Sequence, residues 1–378
     1  MRTLLLTRNF PPLRGGMERL NARMFLHLHA HDATSALVGP AGCAAFVPHG
    51  TRLAELPAGS LPMTVLASVA RGVAMARSVR PDIVLAGSGL TAPAAVAAAR
   101  ASGALPAVYL HGLDIVAPSR VYRAAWWPCI RRCRRVIVNS ANTRRLAIGA
   151  GVEAERIRIV HPGTDLPLAD AKARQRFRGR MKFDASAPIL LSVGRLTTRK
   201  GLAEFVERSL PIILAARPDA HLVIIGDQAA DALHRGAGAG FERVRAIAER
   251  LGIAHAVHWL GPCSEQELAD AYQGADVHVF PVRDLPGDVE GFGMVAIEAA
   301  AHGLPTVAFN VGGVADAVVD GINGRLIDAD DHAAFAGAVI ELLGIDKTEQ
   351  AARARGFAQR FSWERFGSEV VDALESAK

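Results

Sequence analysis

Cysteine is scarce in this chain of 378 residues: Cys43, Cys129, Cys133 and Cys263 are all there are, and no two form a C-x-x-C pair. The spacing excludes a zinc site and fits a reducing compartment. Cys129 and Cys133 stand four apart on an expected helix, the spacing of small buried apolar residues. Aromatic residues make up only 6% of the chain, too few to interleave with cations as a single-strand nucleic-acid binder requires, and no nucleic-acid-binding module is visible. No apolar run reaches the ~18 residues of a membrane span, and the apolar part of MRTLLLTRNFPPL is too short for a signal peptide. A cytoplasmic protein is expected. There is no convincing Asp-x-Asp metal motif, and Ile225-Gly226-Asp227 is not G-x-G-x-x-G, which argues against a dinucleotide dehydrogenase. There is no internal repeat or long low-complexity tract, and GAGAG at Gly236 to Gly240 reads as a surface connection.

What the chain does have is apolar residues and an uneven charge. Half of it is hydrophobic, enough for sizeable cores, and the length allows two or three domains. The net charge of +6 conceals a split: residues 1–188 hold 26 Lys and Arg against 10 Asp and Glu, and residues 189–378 hold 17 against 27. A basic half suits an anionic membrane surface or an acidic substrate, and it also follows from arginine-rich codon usage. Arg120 to Arg135, RVYRAAWWPCIRRCRR, joins six arginines to Tyr122, Trp126 and Trp127 and reads either as an interfacial helix or as a helix whose aromatics face the core.

Short β-rich runs alternate with helix-length Ala- and Leu-rich segments, the pattern of parallel sheets in an α/β fold. The first series of strands is expected at Leu4–Thr7, Ser35–Val38, Met63–Leu66, Ile83–Ala86, Ala107–Leu110, Val136–Val138 and Ile157–Val160. The charged stretch 166–187 has no strand signal. A second series follows at Ile189–Val193, Leu222–Ile225, Val257–Leu260, Val277–Phe280, Thr306–Phe309 and Arg325–Ile327. In such sheets ligands lie beyond the carboxyl ends of the strands, which is where His111, Gly194-Arg195, Gly226-Asp227 and the loop from Pro281 to Glu290 all fall.

The densest chemistry is in Asp288 to Pro305, DVEGFGMVAIEAAAHGLP, which reads as a loop entering a helix. Gly291 and Gly293 let backbone approach a ligand, and the first N–H groups of the helix, around Gly293, Met294 and Val295, suit anionic oxygens. Glu290 and Glu298 would repel a phosphate placed there and instead need hydroxyl donors. By helix rise the two are on the order of 10 Å apart, so they would grip opposite ends of something long, such as a sugar, a diphosphate and a ribose in series.

Glu290 and Glu298 resemble the E-x7-E signature of the large family of retaining glycosyltransferases with the GT-B fold, the GT4 type. The resemblance continues at Gly194-Arg195-Leu196 with Lys200-Gly201, His111-Gly112, Pro162-Gly163-Thr164-Asp165, Gly15-Gly16 and the Phe361-Ser362-Trp363 tail, so it covers nearly the whole chain. It implies two facing, doubly wound Rossmann-like domains with a cleft between them. The acceptor domain would occupy 1–166, joined by a last helix at about 363–378, and the nucleotide-sugar domain 188–362. Residues 167–187 would lie between the two.

The resemblance also implies the activity: a hexose, mannose-like or glucose-like, passes from a GDP- or UDP-sugar to a glycan or lipid-linked acceptor in cell-envelope polysaccharide or lipopolysaccharide synthesis. No metal and no cofactor are expected. A GT-B nucleotide-sugar epimerase or hydrolase and a non-catalytic nucleotide-sugar sensor are the alternatives. Arg195 and Lys200 would stabilise the leaving diphosphate, with Gly16, Met294 and Val295 beside it. Glu290, Gly291, Phe292, Gly293 and His111 would face the donor sugar and Glu298 the ribose, while Pro262 and Cys263 would meet the base. Gly15, Gly16 and Asp114 would border the acceptor. His111 is not assigned as a general base, because in retaining members the leaving phosphate is thought to take the acceptor proton on the same face.

Overall fold

The computed structural model describes residues 1–117, 119–227 and 240–377. The segment Gln228-Ala229-Ala230 and most of GAGAG lie outside the described residues. The chain divides into two compact units, Met1–Gly163 with Phe361–Lys378, and Thr164–Arg360.

The first unit is a seven-stranded sheet of β1 (Thr3–Leu6), β2 (Ala36–Pro40), β3 (Arg52–Leu56), β4 (Ile83–Ala86), β5 (Leu105–Leu110), β6 (Arg135–Val138) and β7 (Ile157–Ile159), in the order β3-β2-β1-β4-β5-β6-β7. Every pairing is parallel. Strands covered on both faces carry continuous apolar runs rather than alternation, which is why TLLL and IVLA are buried at all four positions. One expectation fails here. Met63–Leu66 is not a strand; it lies in the helix Leu61–Val79, and the strand is Arg52–Leu56 instead. Ser60 at the N-cap and Pro62 in the first turn start a helix, and the apolar residues that follow repeat at helical spacing. Its buried residues Ser68, Gly72, Ala76 and Val79 face the unit's core.

The last helix, Trp363–Glu375, belongs to this first unit and packs on Gly16–His31. Two small residues allow it to dock. A Cβ on Gly163 would come within 2.5 Å of the Trp363 ring, and one on Gly367 within 2.2 Å of the His27 ring. Arg135, buried without a carboxylate, donates to the carbonyls of Ala373 and Ser376 at 2.9 and 2.7 Å and so satisfies the helix's C-terminal acceptors.

The second unit has six parallel strands, β8 (Ile189–Val193), β9 (His221–Ile225), β10 (Val257–Gly261), β11 (Val277–Phe280), β12 (Thr306–Phe309) and β13 (Gly324–Ile327), in the order β10-β9-β8-β11-β12-β13. Both units are therefore Rossmann-like. Residues 167–187, expected to lie between domains, are part of this unit. Their helix Ala173–Met181 packs on Glu265–Gly274 and inserts Phe177 into the core beside Ile189, Leu191 and Tyr272. The charges that suggested a connector are bolted to Asp276 instead. That buried carboxylate accepts from Arg178 at 2.7 Å, Arg174 at 2.9 Å, the Ile189 N–H at 2.8 Å, and Lys347.

Candidate active site

In each sheet the strand order reverses once, between β1 and β4 in the first unit and between β8 and β11 in the second. At such a switch point the loops leaving the two strands diverge and open a crevice beyond their carboxyl ends. In the second unit the loop after β8 carries Gly194 to Gly201, and the loop after β11 carries Pro281 to Gly293. Close backbone contact holds the two together. Gly201 is left-handed at φ +68°, and a Cβ there would sit 1.9 Å from the Pro281 carbonyl oxygen. The Arg283 N–H donates to the Arg199 carbonyl at 2.8 Å. On the other side, a Cβ on Gly226 would lie 2.0 Å from the Gly194 carbonyl oxygen, so the loops after β8 and β9 also meet.

This packing brings Lys200 and Glu290 together, ninety residues apart in sequence. Lys200 Nζ donates to Glu290 Oε2 at 2.8 Å and lies 4.6 Å from the centre of the Phe280 ring. Arg199, which has no place in the sequence expectations, donates from Nη1 to the same Glu290 oxygen and from Nε to Asp288 Oδ1 at 2.9 Å. All four groups are largely buried. Burial alone would push the Glu290 carboxyl up, but Arg199 and Lys200 outweigh it and hold its pKa down to about 2. Burial pulls Lys200 below the usual lysine range, against the attraction of Glu290. The backbone of Glu290 is fixed too, its carbonyl accepting from the Gly313 N–H at 2.9 Å. Arg195 follows the same strand, is exposed, and contributes to the positive field at Lys200.

Gly293 caps the helix Met294–Ala301 in the left-handed conformation at φ +98°, so Met294 and Val295 are its first residues, where N–H groups have no partner within a helix. Phe292 is 2% exposed, and its side chain is core rather than a wall of the site. Glu298 lies in the second turn, half-buried, and accepts from Tyr272 Oη at 3.2 Å. Pro262 is exposed, while Cys263 packs at the edge of the core cluster that holds Phe177 and Tyr272.

In the first unit the switch point gathers the loop with Gly15 and Gly16, which opens the helix Gly16–His31, and Gly87 to Gly89 after β4. His111, after β5, is buried and faces the Gly87 carbonyl through Nε2 at 2.9 Å. A carbonyl only accepts, so Nε2 carries the proton. Asp114 Oδ2 accepts from the His111 N–H at 2.8 Å, and the carboxylate caps its own loop. Burial pushes the Asp114 carboxyl up, against the pull of His111 and of the His111 and Gly89 amides. A Cβ on Gly89 would lie 2.7 Å from Asp114 Cβ and 2.9 Å from Tyr122 Oη, so Gly89 is required for that approach. The helix Arg120–Arg132 turns its aromatics inward: Trp126 Nε1 donates to the Leu90 carbonyl at 2.8 Å, Tyr122 stacks on Trp126, and Trp127 packs on the core. Val121 and Arg123 are left outside.

Of the residues the sequence singles out, Lys200 meets Glu290 and His111 meets Asp114, while Arg199, Asp288 and Tyr272, which it does not single out, join Glu290 and Glu298 in the fold. Asp288 and Arg199 carried a signal, an acidic residue two positions before Glu290 and a cation one before Lys200. Tyr272 carried none, since it reaches Glu298 from a different helix.

The sequence profile of glycosyl transferases group 1 matches residues 173–361, and that of Glycosyltransferase Family 4 matches 14–167. D-inositol 3-phosphate glycosyltransferase of Mycolicibacterium vanbaalenii is 33% identical over 245 residues, 64% of this chain and 51% of that protein. The chain spans about half the length of the curated relatives it matches. Among solved structures, Anabaena HepE in complex with UDP has a TM-score of 0.81 at 21% identity, and sucrose-phosphate synthase from Thermosynechococcus elongatus 0.81 at 22%. Both cover 100% of each chain, and at that identity they show a shared fold. With profiles of both halves matched in order and two Rossmann-like units, the chain belongs to the glycosyl transferases group 1, the GT4-type family with the GT-B fold.

Proposed function

We propose that this protein is a retaining glycosyltransferase that moves a hexose, mannose-like or glucose-like, from a UDP- or GDP-sugar to a hydroxyl of a glycan or lipid-linked acceptor. The observation that carries this reading is the β8/β11 switch point, where Lys200 and Glu290 meet beside a glycine-capped helix N-terminus. Breaking the bond from C1 to the phosphate oxygen leaves charge growing on the diphosphate. Lys200, Arg195 and the first amides of Met294–Ala301 supply fixed positive ends for it, so no metal is required. Glu290, ionised over the whole working pH range, accepts from sugar hydroxyls, and Glu298 from the ribose.

The first unit's His111, Asp114, Gly15 and Gly16 are assigned to the sugar and the acceptor by family resemblance. Structural neighbours bound to UDP and UDP-glucose support a uridine donor, and relatives named for D-inositol 3-phosphate put inositol phosphates among the acceptors to try. Cell-envelope polysaccharide or lipopolysaccharide synthesis at the inner face of the membrane is the setting this reading favours. With Tyr122, Trp126 and Trp127 turned inward and Arg135 buried, the exposed arginines of 120–134 would meet anionic headgroups by charge, which salt would abolish.

The test is direct. UDP-glucose, UDP-galactose and GDP-mannose are each incubated with inositol phosphate and lipid-linked acceptors, with and without EDTA. Expected is a glycosylated product whose anomeric configuration, read by NMR, matches the donor, at a rate that EDTA leaves unchanged. Donor epimer or free sugar as the only product would instead identify an epimerase or hydrolase, and binding without turnover a sensor.

A further inference from the structure

One carboxylate oxygen, Glu290 Oε2, is shared by two buried cations, Arg199 and Lys200. They are held differently. Lys200 is a point charge on a flexible stem, free to follow a stronger anion. Arg199 is locked: its Nε is anchored on Asp288 Oδ1 at 2.9 Å and its carbonyl on the Arg283 N–H at 2.8 Å, so side chain and main chain both tie the β8 loop to the β11 loop.

Resting on the glycosyltransferase reading, we propose that Arg199 is a positioning residue: it keeps hold of Glu290 while Lys200 exchanges that carboxylate for the donor diphosphate. Without it, donor binding would strip a buried carboxylate of the one cation left on it among the described residues. Such a group protonates rather than stay charged and unpaired. A protonated Glu290 holds one proton of its own and loses acceptor capacity toward the sugar hydroxyls. Asp288 sets the angle of the guanidinium and is part of the same device.

The charged and titratable groups facing this pair are few. Arg199 and Lys200 come from the β8 loop, with Arg195 acting on Lys200, and Asp288 acts through Arg199; buried His278 is neutral beside them, its pKa lowered to about 3 by burial and by Lys200. The 310–313 backbone that packs on the Glu290 carbonyl carries no titratable side chain.

The experiment is the pH profile of kcat/KM for UDP-glucose or GDP-mannose, whichever the wild type turns over, with donor affinity by calorimetry and melting temperature alongside. In the wild type Glu290 contributes no acid limb above pH ~4. Arg199→Met is expected to move that limb up by about 3 pH units or more from a Glu290 pKa of about 2, into the measurable range, and to lower donor kcat/KM roughly tenfold one pH unit below the new limb's midpoint while leaving it near the wild-type value well above it. Arg199→Lys should move that limb part of the way back, and Asp288→Asn should shift it in the same direction by less. Those two variants decide the matter if Arg199→Met does not fold. Identical profiles in wild type and variants, or a loss that is the same at every pH, overturn the role of Arg199 alone. A wild type that neither binds nor turns over any nucleotide sugar overturns the functional reading and this proposal with it.

Discussion

Tyr272 braces Glu298 from outside its own helix. The phenol donates to the carboxylate at 3.2 Å, the ring stacks on His302 at 5.0 Å, and His302 Nδ1 donates to the Glu298 carbonyl at 2.8 Å. The three side chains come from the helix Glu265–Gly274, the helix Met294–Ala301 and the residue just after it. Tyr272→Phe keeps the stack and removes one hydrogen bond to a charged group, worth about 1.5–3 kcal/mol at most. Calorimetry is expected to show donor affinity reduced for every sugar carried on the same nucleotide, with sugar preference unchanged.

The two glutamates divide the donor between them. Glu298→Ala should weaken binding of the free nucleotide diphosphate as much as that of the intact donor. Glu290→Ala should leave the nucleotide diphosphate bound and flatten the difference between UDP-glucose and UDP-galactose. Dissociation constants for all three ligands decide it, and parallel losses in both variants would contradict the assignment.

Gly201 tests whether the meeting of the β8 and β11 loops matters. Ala there must adopt φ near +68° and push aside the Pro281 carbonyl, whereas Gly252, at φ +70°, has open space where a Cβ would go. Gly252→Ala should cost about 1 kcal/mol, the penalty of a left-handed conformation. Gly201→Ala should cost more in a denaturant titration and should also lose donor binding, which Gly252→Ala keeps.

Acid should weaken the second unit through His302. Burial, reinforced by Arg355 and opposed by Asp165, lowers its pKa to about 4 from an ordinary 6.5. Between those values the unfolded chain binds the proton first. Stability is therefore complete above pH ~6.5 and declines as pH falls toward ~4, by about 3 kcal/mol over the full range. His302→Gln should flatten that part of the stability profile in urea titrations at pH 7, 6, 5 and 4.5.

Much of this protein is fixed by residue order alone. Continuous apolar runs such as TLLL and IVLA mark strands buried on both faces, and glycines next to a charged residue at a strand's end mark the loops that approach a ligand. Lys200, Glu290 and Glu298 stand out in the sequence as candidates because their signal is local, carried by neighbouring glycines and a helix start. The helix Leu61–Val79 was misread because a four-residue apolar window cannot separate a strand from a helical face. The 167–187 stretch was misread because its arginines look solvated until Asp276 is placed beside them, about a hundred residues later. Folding alone decided which partner each charge would find. Arg199 clamps Glu290 and Tyr272 holds Glu298 only because parallel strands set their outgoing loops side by side, and Coulomb and hydrogen-bond energies act over a few ångströms of space regardless of separation along the chain.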